Sequence, residues 1–105
     1  MDILQSKGQR FSVTAESISG SAVATEAAST GKTHYITDIS ASSPVSTCII
    51  ELVDSGTVLW KNIIGTGGHI KESFITPRRI TSGNAATLRA GTTTTIYVNL
   101  SGFTI

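Results

Sequence analysis

The chain has 105 residues, with 8 Lys and Arg against 7 Asp and Glu and a formal net charge of +1. That length holds one domain with one modest core, and the even charge balance offers no cationic stripe for neutralising phosphates, which argues against nucleic acid as a partner. One cysteine excludes an internal disulfide framework, and no apolar run is long enough to cross a bilayer as a helix.

The composition is hydroxyl-rich and β-branched. Thr occurs 16 times and Ser 14 times, and 13 Ile and 6 Val outnumber 5 Leu. Such residues fit a pleated surface better than a helix. Strand-like segments punctuated by Gly, Pro, Asn and Ser recur about every ten residues, the spacing of an all-β sandwich or barrel. About eight strands are expected, paired as an antiparallel β-sandwich, and no helix of ordinary length is evident.

Residues 1–20 form an N-terminal arm or edge strand, and residues 21–105 the β-sandwich domain. The start, Met1 to Lys7, lacks the cationic and apolar stretches of a secretory signal, so synthesis in a reducing cytoplasm is expected. Ile3, Leu4 and Phe11 stand isolated in polar sequence, which suits an extended arm lying on a neighbouring subunit. On that reading, deleting residues 1–12 leaves a folded domain that no longer binds. Arg10 to Ala15 and Ser21 to Ala28 are weakly hydrophobic strand candidates. In Lys32 to Ala41, strict alternation sets Thr33, Tyr35, Thr37 and Ile39 against His34, Ile36, Asp38 and Ser40. Neither set is purely apolar, so the inward side stays ambiguous.

Ser46 to Val53 places Cys48, Ile50 and Leu52 on one face, and Asp54-Ser55-Gly56 then breaks two apolar runs in the manner of a hairpin. The second run, Thr57 to Ile64, is apolar on both faces. A strand of that kind is usually covered twice, once by a core and once by a neighbour, so Leu59, Trp60 and Ile63 are candidate subunit-interface residues. Changing Ile63 to Lys is then expected to give a soluble monomer. His69 to Ile75 resumes a strand that Thr76-Pro77 is expected to end, leaving Arg78 and Arg79 as a cationic doublet in a loop, able to contact an acidic partner. Asn84 to Ala90 and Thr94 to Phe103 complete the set, the last with the cleanest alternation in the chain.

Chemistry is sparse. No Gly-x-Ser-x-Gly elbow occurs, Cys48 sits among apolar neighbours and reads as a buried hydrophobe, and the Gly65 to Gly68 loop lacks both the Lys-Ser/Thr ending and the helix that phosphate binding requires. His34 and His69 bind a metal only if their strands are adjacent and a third ligand arrives. His34 is expected instead to pair with a polar side chain of a neighbouring strand, and His69 to face solvent. Catalytic residues, metal ligands, cofactors and a small-molecule substrate are therefore not expected. Trp60, Tyr35 and Tyr97 could form an aromatic platform for a sugar, although Trp60, beside Leu59 and Ile63-Ile64, reads more readily as core or interface.

From Gly31 onward the order of segments resembles a type of small bacteriophage virion protein with a jelly-roll or similar sandwich. The resemblance rests on Gly31 to Ala41, Asp54 to Trp60, Phe74 to Pro77, Asn84 to Leu88 and Tyr97 to Phe103. It implies a non-enzymatic building block: a capsid decoration or cement protein on the virion surface, or a tail-associated component. It further implies a homo-oligomer, trimer favoured over dimer, that binds the major capsid protein lattice and stabilises the head. The competing class is a tail-fibre tip or a carbohydrate- or receptor-binding module.

Overall fold

The computed structural model describes residues 8–17, 22–44, 47–91 and 95–105. Eight strands are found there: β1 Gln9–Ser17, β2 Ala22–Glu26, β3 His34–Ser43, β4 Cys48–Asp54, β5 Thr57–Ile64, β6 Gly68–Arg79, β7 Ala86–Gly91 and β8 Ile96–Thr104. They form two four-stranded sheets, ordered β1-β8-β3-β6 and β2-β7-β4-β5, with every neighbouring pair antiparallel. Successive strands up to β4 and from β5 on alternate between sheets, the interleaving of an eight-stranded jelly roll. The fold is the all-β antiparallel sandwich that composition and punctuation predict.

Alternation explains the core. In β4 Cys48, Ile50 and Leu52 point inward, and in β8 Ile96, Val98 and Leu100 do the same. Ala22 and Ala24 from β2, Ala86, Leu88 and Ala90 from β7, and Ile36 and Ile39 from β3 complete one continuous cluster. The many alanines of β2 and β7 let the sheets approach, and the isoleucines opposite fill the space. Every buried side-chain nitrogen or oxygen among the described residues has a hydrogen-bond partner, as close packing of polar groups demands.

The ambiguity in the third strand has a physical cause. A β-bulge at Thr37 shifts register against both β8 and β6 between Ile36 and Asp38. Inward positions therefore run His34, Ile36, then Ile39, Ala41 and Ser43, all buried. One extra residue reverses the alternation, so no single period-2 frame could fit the strand. Gly102 lies beside this bulge: a Cβ there would strike the Tyr35 carbonyl oxygen and come within 3.0 Å of the Phe11 ring. The β4–β5 hairpin closes as its residues suggest, with Asp54 paired to Thr57 and both Ser55 (φ 45°) and Gly56 (φ 102°) left-handed, the backbone of a tight two-residue turn.

β1 pairs with β8 along its whole length from Gln9, so residues 9–17 take the edge-strand alternative, and deleting residues 1–12 removes four residues of that ladder. One expectation changes: β6 does not end at Pro77. Pairing with β3 stops at Ser73 and resumes at Arg78, setting Thr37 alone against Phe74 to Pro77. Proline is tolerated because it falls where the ladder is interrupted, and the doublet Arg78-Arg79 belongs to a strand rather than a loop.

Candidate interaction surface

The β6 excursion and the edge of the second sheet meet on one flank of the sandwich. In β5 a register shift between Leu52 and Val53 leaves Leu59 as the extra residue, and Leu59 and Trp60 both pack against the core while remaining half-buried. Phe74 meets the Trp60 indole edge-on, with ring centroids 6.4 Å apart, a favoured aromatic geometry. The Arg78 guanidinium lies 5.4 Å from the Phe74 centroid and donates from Nη2 to the Leu59 carbonyl oxygen at 3.3 Å. The cation thus covers an aromatic face and occupies a carbonyl on the exposed β5 edge, and the Asn62 side chain likewise accepts from the Ile63 amide at 2.8 Å. Occupied edge groups discourage strand addition. At the crest of the excursion Ile75 is fully exposed.

The residues predicted for an interface therefore separate. Leu59 and Trp60 join Arg78 on this flank, whereas Ile63 points out from the second sheet and is 61% exposed. Ile63 is the cross-strand neighbour of Ile49, itself 44% exposed, and Val23 on β2 is 52% exposed on the same outer face. Val23 ends a cross-strand row that continues through Arg89, Glu51 and Lys61, next to the row of Ile49 and Ile63; in it Glu51 accepts from Arg89 Nε at 2.8 Å and lies 4.0 Å from Lys61 Nζ. Arg79 goes elsewhere, opposite Tyr35 on the outer face of the first sheet. Of the arm residues, Ile3 and Leu4 lie outside the described residues. Phe11 faces inward from β1, packs on the core and meets His34 at 5.6 Å.

His34 is buried with both ring nitrogens engaged: Nε2 lies 2.8 Å from the Ala27 carbonyl oxygen and Nδ1 2.7 Å from Thr104 Oγ1. A carbonyl can only accept, so Nε2 donates to it, while Nδ1 pairs with the Thr104 hydroxyl. The partner is a polar side chain of the adjoining strand, as the sequence suggests. His69 is exposed at the far end of the β3–β6 ladder. No group of three His, Cys, Asp or Glu residues able to hold a metal occurs among the described residues. Cys48 is buried, its thiol within 3.5 Å of the Ile49 carbonyl.

A polar junction that sequence reasoning missed centres on Asp54. Its carboxylate accepts from the Thr81 amide at 2.9 Å, the Thr81 hydroxyl at 2.7 Å and the Asn84 side-chain amide at 2.8 Å. Burial pushes its pKa up, but the hydrogen bonds from Asn84 and Thr81 and the nearby Arg79 charge outweigh it and hold the group below the ordinary value of 3.8. The junction ties the β4–β5 hairpin to the connection leaving β6. Only the short Asp-Ser-Gly turn hinted at it, since Thr81 and Asn84 are about 30 residues distant in the chain.

The three aromatics considered as a sugar platform are also dispersed. Tyr35 stacks on Phe103 at 5.1 Å and 9°, Trp60 lies on the opposite flank, and Tyr97 stands at the other end of the first sheet's outer face, 42% exposed.

No protein-family model matches the chain, and no curated protein matches it in sequence. Solved structures do. A chain of the acidic stable capsid structure of Helicobacter pylori bacteriophage KHP30 aligns over 90% of this chain and 87% of its own length, with a TM-score of 0.56 at 12% identity. A carbohydrate-binding module, CBM36 in complex with calcium and xylotriose, aligns over 96% of this chain and 94% of its own at a TM-score of 0.38 and 11% identity. The insecticidal delta-endotoxin Cry8Ea1 of Bacillus thuringiensis aligns over 84% of this chain at a TM-score of 0.49 and 14% identity; the present chain spans 18% of its length. At these identities the likeness is one of fold, a β-sandwich shared with a phage capsid chain of similar extent.

Proposed function

We propose that this protein is a non-enzymatic structural component of a phage virion, a decoration or cement protein that self-associates and seats on the major capsid protein lattice. The observation that carries the reading is the outer face of the second sheet, where Val23, Ile49 and Ile63 are between 44% and 61% exposed around the row Arg89-Glu51-Lys61. Exposed apolar side chains interspersed with paired charges on one sheet face suit a protein contact surface. Similarity of fold to a phage capsid chain over 90% of this chain and 87% of that one supports the same class.

The remaining surface suits broad contact. Many hydroxyls and few charges provide hydrogen-bonding groups that cost little to desolvate. A protein that binds only the intact shell stabilises it by mass action, in proportion to RT ln(1 + [L]/Kd). The experiment is co-sedimentation of the purified chain with capsids assembled from the major capsid protein of the same genome. Saturable binding of the native chain, lost in Ile63→Lys, is the expected result. A chain that stays in the supernatant at saturating concentration overturns the assignment.

A further inference from the structure

The register of the second sheet fixes what its outer face presents. One outward row runs Val23, Arg89, Glu51, Lys61 across β2, β7, β4 and β5, and the neighbouring row runs Gly91, Ile49, Ile63 across β7, β4 and β5. In strand order the first row is neutral, positive, negative, positive, so opposite charges sit side by side on the two central strands. Arg89 engages Glu51 through Nε alone, at 2.8 Å, and its side chain makes no other hydrogen bond or ion pair with a described residue. Both Nη groups of the guanidinium are therefore available to a second carboxylate.

A face of this pattern can meet a copy of itself in few ways. Two sheets packed face to face with aligned strands are related by a two-fold axis lying between them, and the charges discriminate among its positions. An axis across the strands sets Glu51 on the partner's Glu51, or sets charges on uncharged side chains. An axis along the strands over β4 repeats the clash of carboxylates, and one over β7 sets Arg89 on the partner's Arg89. Between β4 and β5 it matches Glu51 with the partner's Lys61, but only those two strands of each copy overlap. Between β7 and β4 it sets Arg89 of each copy over Glu51 of the other, and all four strands overlap.

Area favours the last arrangement. Four strands at a spacing of about 4.8 Å make a face about 19 Å wide, twice what a two-strand overlap covers, and a specific interface needs about 1,000 Å² in total. In the full overlap Ile49 falls over the partner's Gly91, where no side chain opposes it, and Ile63 falls over the start of the partner's β2. We propose that the outer face of the second sheet is occupied by a second copy of this chain, in a pair whose two-fold axis runs along the strands between β7 and β4, with Arg89 of each copy donating to Glu51 of the other. The inference rests on the reading of this face as a protein contact surface and names its occupant. A contact of this symmetry closes at two copies, so the assembly is a dimer where the virion resemblance implies a trimer, and a capsid lattice is met by the pair.

The test is absolute mass by light scattering behind a sizing column, on the native chain, Arg89→Glu, Glu51→Lys and an equimolar mixture of the two variants. The native chain is expected at twice the chain mass. Each variant alone sets like charges opposite one another at both central contacts and is expected as a monomer. In the mixture each central contact again joins opposite charges, and the doubled mass is expected to return. Lys71→Glu, the same change of charge on the first sheet, is expected to leave the dimer intact, and thermal unfolding checks that each variant is folded. A native monomer or trimer overturns the inference, as does a folded single variant that stays dimeric or a mixture that stays monomeric. Co-sedimentation with capsids separates the two readings: a native monomer that binds them overturns the pair alone, and a native dimer that ignores them overturns the virion assignment alone.

Discussion

The two outer faces of this sandwich share an architecture and differ in chemistry. Each belongs to a four-stranded antiparallel sheet, and each backs onto the same core. The first sheet turns outward Ser12, Thr14, Asn99, Ser101, Ser40 and Ser42, much of it knitted by side-chain hydrogen bonds. The second turns outward Val23, Ile49 and Ile63 beside one charged row. Inward positions obey the demands of packing and leave outward ones free to diverge, so the outward positions carry the functional information. An apolar face with a charged row favours protein contact.

Breaking the shared core removes both faces at once and has the largest effect. Leu100→Ala empties a fully buried site in the first sheet and is expected to cost about 2–5 kcal/mol, read as a fall in the urea midpoint. A loss below about 1 kcal/mol would mean that the sheets do not close on one core.

Next in size is the junction that ties the second sheet's hairpin to the strand leaving the first. Asp54→Ala strips partners from Thr81 and Asn84 and is expected to cost about 1–3 kcal/mol. Because the folded pKa of Asp54 is lowered, its contribution is present above the unfolded value of 3.8 and is lost as pH falls through the folded value. Denaturation midpoints of the native chain should therefore drop below that pH, and the difference from Asp54→Ala should shrink there. A difference constant across the acid range would rule out an ionised hub.

The comparison of faces is sharpened by one charge placed on each. Ile63→Lys is expected to change stability by no more than about 0.5 kcal/mol and to lower the mass found by light scattering behind a sizing column to that of a monomer. Ser12→Lys on the first sheet should leave the mass unchanged. Equal behaviour of the two variants would erase the distinction. The smallest effect belongs to Lys61→Ala: the pair with Glu51 spans 4.0 Å with the lysine exposed, worth at most about 0.5 kcal/mol and screened by added salt.

Much of the fold was legible because its signals are local. The hairpin at Asp54 to Thr57 and the alternation of Ile96, Val98 and Leu100 depend on neighbours in the chain. The bulge at Thr37 was not legible, since it is defined against partners on β8 and β6 more than 30 residues away. For the same reason Pro77 suggested a strand end, although pairing resumes one residue later. The candidate surface was legible in part. Two apolar faces on Thr57 to Ile64 pointed to Ile63, yet Ile49 and Val23 became its companions only through sheet order, and Ile75 became exposed only through the β6 excursion.

By itself, then, the sequence determined an all-β chain of about eight strands with a modest core and little charge, because period-2 hydrophobicity, β-branched residues and turn punctuation act over a few residues. Only the tertiary structure decided which outward residues share a face, where Arg78 and Arg79 part company, and how Ser42 comes to lie between Tyr97 and His69. Those outcomes depend on sheet order and register, which are set by the mutual burial of strands distant in the chain.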